Sequence, residues 1–170
     1  MAYDFDTLNI LVVDDSELIC ALMETILKNL GVGEVSTTTG GKQAIELIKT
    51  QKFDLAFVDW KMEPVDGIAF TKSVRSSPID QHKFMPIIMI SGYTEENRIR
   101  QAMSAGVSEF LAKPLTAAAV YSRLAWVIEH PRDYIKSSNY FGPCRRRRAQ
   151  EFSHPDRRRS LPAAAQAIGG

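Results

Sequence analysis

Cysteine is scarce in this chain: two residues in 170, Cys20 and Cys144, stand 124 positions apart. That excludes a disulfide framework and makes a reducing cytoplasm the expected compartment. Histidine is equally sparse, and His82, His130 and His154 match no metal-ligand spacing. No apolar run approaches the roughly 20 residues of a membrane span, which excludes integral insertion. The opening MAYDFDTLNILVVDD is acidic and lacks the basic start and cleavage site of a secretory signal, so no leader is expected. Neither G-x-G-x-x-G nor G-x-x-x-x-G-K-[ST] occurs, which argues against a nucleotide-binding domain. What is present is 45% hydrophobic and 24% charged, the make-up of a globular protein.

The net charge of +1 conceals a division. Residues 1–130 hold 12 Lys and Arg against 17 Asp and Glu, a net of −5. Residues 131–170 hold 9 against 3, a net of +6. The second segment also carries four prolines, the arginine runs 145–148 and 157–159, and few large aliphatic residues. Such a stretch buries too little surface to offset its ordering entropy. The expectation is an acidic folded domain over 1–130 and a basic, largely disordered tail over 131–170.

Within the folded part, apolar runs alternate with amphipathic stretches. The run Asn9 to Val13 lacks alternation and stops at Asp14-Asp15, as a strand buried on both faces does. Ser16 then caps a helix with Leu18, Leu22, Ile26 and Leu30 on its apolar row, closed by Gly31. Further strands are expected at 34–38, 55–58, 86–90 and 108–111, and further helices at 41–50, after Asp66-Gly67, at 95–105 and at 116–130. Strand followed by helix, five times, implies parallel strands with right-handed crossovers and a three-layer α/β sandwich. Ligands of such sheets bind at the carboxyl ends of the strands.

The residues at those ends are Asp14, Asp15, Asp59, Ser91 and Lys113. Three carboxylates brought together oppose one another's ionisation. A divalent cation relieves this, and an all-oxygen donor set favours Mg²⁺. Lys113 and the Ser91 hydroxyl are placed to meet the other oxygens of a phosphoryl group, and one aspartate then serves as nucleophile.

Four segments carry a resemblance: LVVDDS (Leu11 to Ser16), VDWKMEPVDG (Val58 to Gly67), IMISGY (Ile88 to Tyr93) and FLAKPL (Phe110 to Leu115). In order and spacing they resemble the receiver domain of two-component response regulators, over residues 5–130. The resemblance implies a flavodoxin-like sheet of five parallel strands in the order 2-1-3-4-5. It implies phosphorylation of Asp59 by a histidine kinase or phosphotransfer protein. It also implies Mg²⁺ held by Asp15, Asp59 and the backbone carbonyl of Lys61, with Asp14 acting through a water. Ser91 would be the switch hydroxyl, Phe110 the switch aromatic, Lys113 the phosphate contact, and Lys113-Pro114 a cis bond. Output would pass through the face made by the fourth helix, fifth strand and fifth helix of that pattern.

Three departures stand out. Glu63 occupies the place where the family usually has proline, which follows as Pro64; Phe110 replaces the frequent tyrosine; and Lys61 adds an ammonium at the rim. The resulting expectation is a signalling switch acting by protein contact, not an enzyme beyond its own phosphorylation and slow dephosphorylation. A DNA-reading output domain of about 60 residues has no room. The alternative from another class is a Mg²⁺-dependent phosphatase with an aspartate nucleophile, but the second aspartate such enzymes place two residues on is Lys61 here. Further partner expectations are a phosphorylation-dependent dimer and a polyanion contact through Arg145, Arg146, Arg147 and Arg148.

Overall fold

The computed structural model describes residues 3–92 and 96–145. Five parallel strands form one sheet: β1 (Asn9–Val13), β2 (Glu34–Thr38), β3 (Leu55–Asp59), β4 (Ile87–Ser91) and β5 (Glu109–Ala112), in the order β2-β1-β3-β4-β5. The sheet register pairs Val13 with Val58 and Asp59 with Ile90, so the carboxyl ends of the central strands finish level with one another. Helices α1 (Glu17–Asn29), α2 (Gly41–Thr50), α3 (Gly67–Arg75), α4 (Asp80–Lys83), α5 (Glu96–Ala105) and α6 (Ala117–Glu129) connect or follow the strands. The short α4 is an addition to the expected pattern, so the output face expected above is α5-β5-α6 in this numbering.

The strands are apolar without alternation because both faces are covered. Ile10, Val12, Phe57 and Ile88 point to the side of α1 and α6, where Met23, Leu27, Val120 and Leu124 meet them. Leu11, Val13, Ala56 and Val58 point to the other side, against Ala44, Ile48, Phe70 and Val74 of α2 and α3. Ser16, Asp66 and Thr116 cap α1, α3 and α6, each accepting a hydrogen bond from a backbone N–H three residues on.

In α1 the apolar row differs from expectation. Leu18 is 78% and Leu22 40% exposed, while Cys20, Met23, Ile26 and Leu27 are buried. Of the expected row, Ile26 and Leu30 reach the core, while Leu18 and Leu22 lie a turn or more earlier on the side turned to solvent.

Regular structure continues past the expected boundary at residue 130. Beyond α6 the chain forms an antiparallel hairpin of β6 (Tyr134–Ser137) and β7 (Tyr140–Pro143). It packs on the body rather than hanging from it. The Tyr134 hydroxyl donates to the Phe84 carbonyl (2.8 Å), and Phe84 meets the rings of Tyr134 and Phe141 at 5.0 and 5.5 Å. Edge-on packing of aromatic rings, which needs few residues, orders this segment despite its lack of aliphatics. Arg146, Arg147 and Arg148 lie outside the described residues.

Candidate phosphoacceptor site

Asp14 follows β1, Asp59 ends β3, Ser91 ends β4 and Lys113 follows β5, so the parallel register delivers all four to one edge. Carboxylate oxygens of Asp14, Asp15 and Asp59 lie within 4.8 Å of one another. Asp14 and Asp59 are buried and Asp15 is exposed. Lys113 Nζ reaches Asp59 Oδ1 at 2.8 Å and Asp14 Oδ2 at 3.4 Å. Local backbone donors fix the carboxylates: Ser16 N–H donates to Asp14 Oδ1 (2.9 Å) and Lys61 N–H to Asp59 Oδ2 (3.2 Å). A Cβ at Gly67 would stand 2.5 Å from the Asp59 carbonyl oxygen. Glycine there lets the start of α3 close against the end of β3.

The electrostatics are those of a site short of positive charge. Burial pushes the Asp59 carboxyl above the ordinary carboxylate value; Asp14 and Asp15 add to the rise, and the Lys113 hydrogen bond and charge only partly oppose it. For Lys113, burial works against the ammonium but is outweighed by Asp59 and Asp14, so its pKa is raised. Three carboxylates against one near ammonium form an all-oxygen donor set that fits a hard divalent cation.

Ser91 is buried at the end of β4, and its carbonyl accepts from Lys113 N–H (3.0 Å). Phe110 pairs with Met89 in the sheet register and is half-buried against Trp60, Ile68, Met89 and Ala102. The bonds Glu63-Pro64 and Lys113-Pro114 are both cis. Lys61 is exposed, beside a cleft of about 500 Å³ bounded also by Trp60, Glu63, Pro64 and Arg98. Tyr93, the end of the third motif, lies outside the described residues. Cys20 is a packing residue: its thiol donates to the Asp14 carbonyl at 3.3 Å, and burial raises its pKa.

Sequence reasoning missed the basic and aromatic constellation at the opposite edge. Glu109 is buried between Arg123 (2.8 Å) and Arg132 (3.3 Å), and Arg75 is buried against backbone carbonyls. The signals were a charged residue inside an apolar strand and an arginine on the apolar side of α3.

Fold and site together define an α/β domain with an acidic pocket beside a lysine at the carboxyl edge of its sheet. The model of the response regulator receiver domain matches residues 10–125, and the chain belongs to that family. Its members are signalling proteins of two-component systems. Among curated relatives, chemotaxis protein CheY-3 of Vibrio cholerae is 30% identical over 122 residues, 72% of this chain and 92% of that one. Among solved structures, chemotaxis protein CheY4 of Vibrio cholerae aligns with a TM-score of 0.67 at 29% identity, covering 71% of this chain and 98% of the other. The receiver domain of sensor histidine kinase PA1611 from Pseudomonas aeruginosa aligns with a TM-score of 0.62 at 25% identity over 70% and 94% of the two chains. That structure has a magnesium ion coordinated in its active-site cleft. The family match ends at residue 125, before the hairpin begins. Among the described residues, no helix is long and apolar enough to cross a membrane.

Proposed function

We propose that this chain is a phosphorylation switch whose acceptor is Asp59. An Asp59 oxygen attacks the phosphorus of a phosphohistidine on a kinase or phosphotransfer protein. The O–P bond forms as the P–N bond breaks, and the imidazole nitrogen keeps the electron pair. The observation that carries the reading is the buried Asp59 carboxylate at a strand end, 2.8 Å from Lys113 and grouped with two further carboxylates. Lys113 holds the acceptor in place and meets phosphoryl charge, and the buried Ser91 hydroxyl meets another phosphoryl oxygen. Asp15, Asp59 and the Lys61 carbonyl would hold Mg²⁺, with Asp14 acting through a water. The ion supplies charge neutralisation for an incoming phosphoryl group.

Phosphorylation then biases a two-state equilibrium in which Ser91 is drawn to the phosphoryl group and Phe110 turns inward. Output follows by contact of a cytoplasmic protein target, or a second copy of the chain, with the α5-β5-α6 face. The test is intact mass after incubation with acetyl phosphate and Mg²⁺. One phosphoryl mass is expected on the wild type and none on Asp59→Asn; equal labelling of both overturns the assignment.

A further inference from the structure

The chain changes its choice of cation at residue 131. Of the 12 cationic residues in 1–130, eight are lysine; of the nine in 131–170, eight are arginine. The two are not equivalent. A guanidinium is planar, weakly hydrated and forked, so it grips phosphate with paired hydrogen bonds and stacks on flat rings, whereas an ammonium is a hydrated point charge. An arginine bias of this size points to a phosphate-bearing partner with flat surfaces more than to general solubility.

The fold roots this stretch beside one exposed aromatic ring. Phe84 is 47% exposed at the end of α4, edge-on to Tyr134 and Phe141 of the hairpin. Lys83 Nζ stands 6.0 Å from the Phe141 ring centre, and the Arg145 guanidinium 4.4 Å from that of Tyr140. The hairpin register pairs Lys136 with Phe141, which places the exposed Lys136 on the same face as that ring. Between residues 131 and 148 a single carboxylate, Asp133, stands against six cations. One half-exposed ring, Phe84, backed by the partly exposed Tyr134, Tyr140 and Phe141 and edged by cations, is equipment for stacking bases while tracking a phosphate backbone. An acidic protein would use the charges and leave the exposed face of Phe84 unused. A duplex offers bases already stacked on one another and leaves the rings idle.

We propose that the C-terminal hairpin, with Lys83 and Phe84 beside it and Arg145 opening the arginine run, is a binding surface for single-stranded nucleic acid. It lies where β4 and β5 begin, at the opposite edge of the sheet from Asp59. Its occupancy therefore needs no participation of the phosphoacceptor residues, and failure here leaves the Asp59 reading untouched.

The experiment is fluorescence anisotropy of the full chain with fluorescein-labelled 20-mers of deoxythymidine and uridine, at 50 and 200 mM salt. Saturable binding that weakens steeply with salt is expected, with a 20-base-pair duplex bound at least tenfold more weakly. Phe84→Ala should weaken single-strand binding about tenfold through lost stacking. The exposed double variant Lys136→Glu with Arg145→Glu should weaken it at least as much and reduce the salt dependence. Acetyl-phosphate labelling of Asp59 in the variants checks that the fold persists; if Phe84→Ala fails that check, the double variant decides. Absence of binding at 50 mM salt overturns the proposal. So does equal affinity for duplex, wild-type affinity in a folded Phe84→Ala, or binding to phosphatidylglycerol vesicles without binding to either oligonucleotide.

Discussion

Charge is buried at both edges of the sheet, where the strands begin and where they end, and the two edges handle it in opposite ways. At the carboxyl ends, Asp59 and Asp14 share one lysine and stand beside the exposed Asp15, so negative charge is left over. At the amino ends, Arg75 donates to the carbonyls of Gly106 (3.0 Å), Lys83 (2.8 Å) and Met85 (2.7 Å), and the Tyr134 ring lies 5.3 Å from its guanidinium carbon. Glu109 there is paired with both Arg123 and Arg132. Burial lowers the pKa of Arg75, with Tyr134 and Tyr140 opposing, but an arginine remains charged. The first end holds negative charge in excess of its one lysine, and the second pairs each charge within the protein, although Arg75 Nη2, Arg123 Nε and Arg132 Nη1 are buried without a hydrogen-bond partner among the described residues. One is a site and the other is a joint, and substitutions should separate them by sign as well as size.

The largest effect is expected at the joint. Arg75→Met keeps much of the volume but removes the donor from three carbonyls. At about 1–3 kcal/mol for each buried group left unsatisfied, a loss of about 3–5 kcal/mol is expected in urea denaturation. Because Arg75 stands at the far edge, acetyl-phosphate labelling of Asp59 should persist in whatever fraction stays folded. A loss below 1 kcal/mol would mean that the three carbonyls find other donors, and the joint would then be no tighter than ordinary surface.

An intermediate effect is expected where the hairpin, α5 and Arg75 converge. Gly106 ends α5 at φ +103°, and a Cβ there would meet Arg75 Cγ at 2.9 Å. Gly142 of β7 sits against it: a Cβ on Gly142 would be 3.0 Å from Gly106 Cα. Gly106→Ala therefore combines a left-handed backbone with a steric push on the guanidinium, at an expected cost of about 1–3 kcal/mol by the same denaturation measurement. Hydrogen exchange in residues 134–143 should rise with it. Unchanged exchange there would show that the hairpin is held by Phe84 alone.

The same contrast explains what could be read from the sequence. The carboxyl edge was legible because each of its residues follows a short apolar run, and parallel topology obliges such positions to meet. Asp14, Asp15, Asp59, Ser91 and Lys113 needed only the strand pattern to be brought together. The joint was not legible, because its partners are backbone carbonyls and ring faces that carry no pattern in sequence. Arg75 carried no reading from the sequence, and Tyr134, Tyr140 and Phe141 fell in a segment read as too poor in large aliphatic residues to fold. The inward row of α1 was misread for a related reason: Leu18 and Leu22 outrank Cys20 and Met23 in hydrophobicity, but helix phase relative to the sheet decides which row is covered.

The smallest expected change has the opposite sign and lies at the site. Burial, then the Asp14 and Asp15 charges, raise the Asp59 carboxyl above its ordinary value, with Lys113 opposing. As pH rises, the unfolded chain releases this proton near the usual carboxylate value while the folded protein holds it to higher pH. Between those two points the unfolded state binds fewer protons, so this group lowers stability as pH rises, and the loss persists above the folded value. Asp59→Asn removes that contribution while keeping a group that can accept from Lys113. In chelator, the variant should therefore be more stable than wild type at pH 7, with the gap closing at pH 4 or below as both states of the wild type protonate. Added Mg²⁺ should narrow the gap at pH 7 by stabilising the wild type, since a ligand favours the state that binds it. The measurement is the urea midpoint of both proteins at the two pH values, with and without Mg²⁺. A variant less stable than wild type at pH 7 in chelator would mean that the 2.8 Å pairing with Lys113 outweighs burial. The carboxyl edge would then be a completed charge cluster like the joint, and the contrast between the two ends would fail.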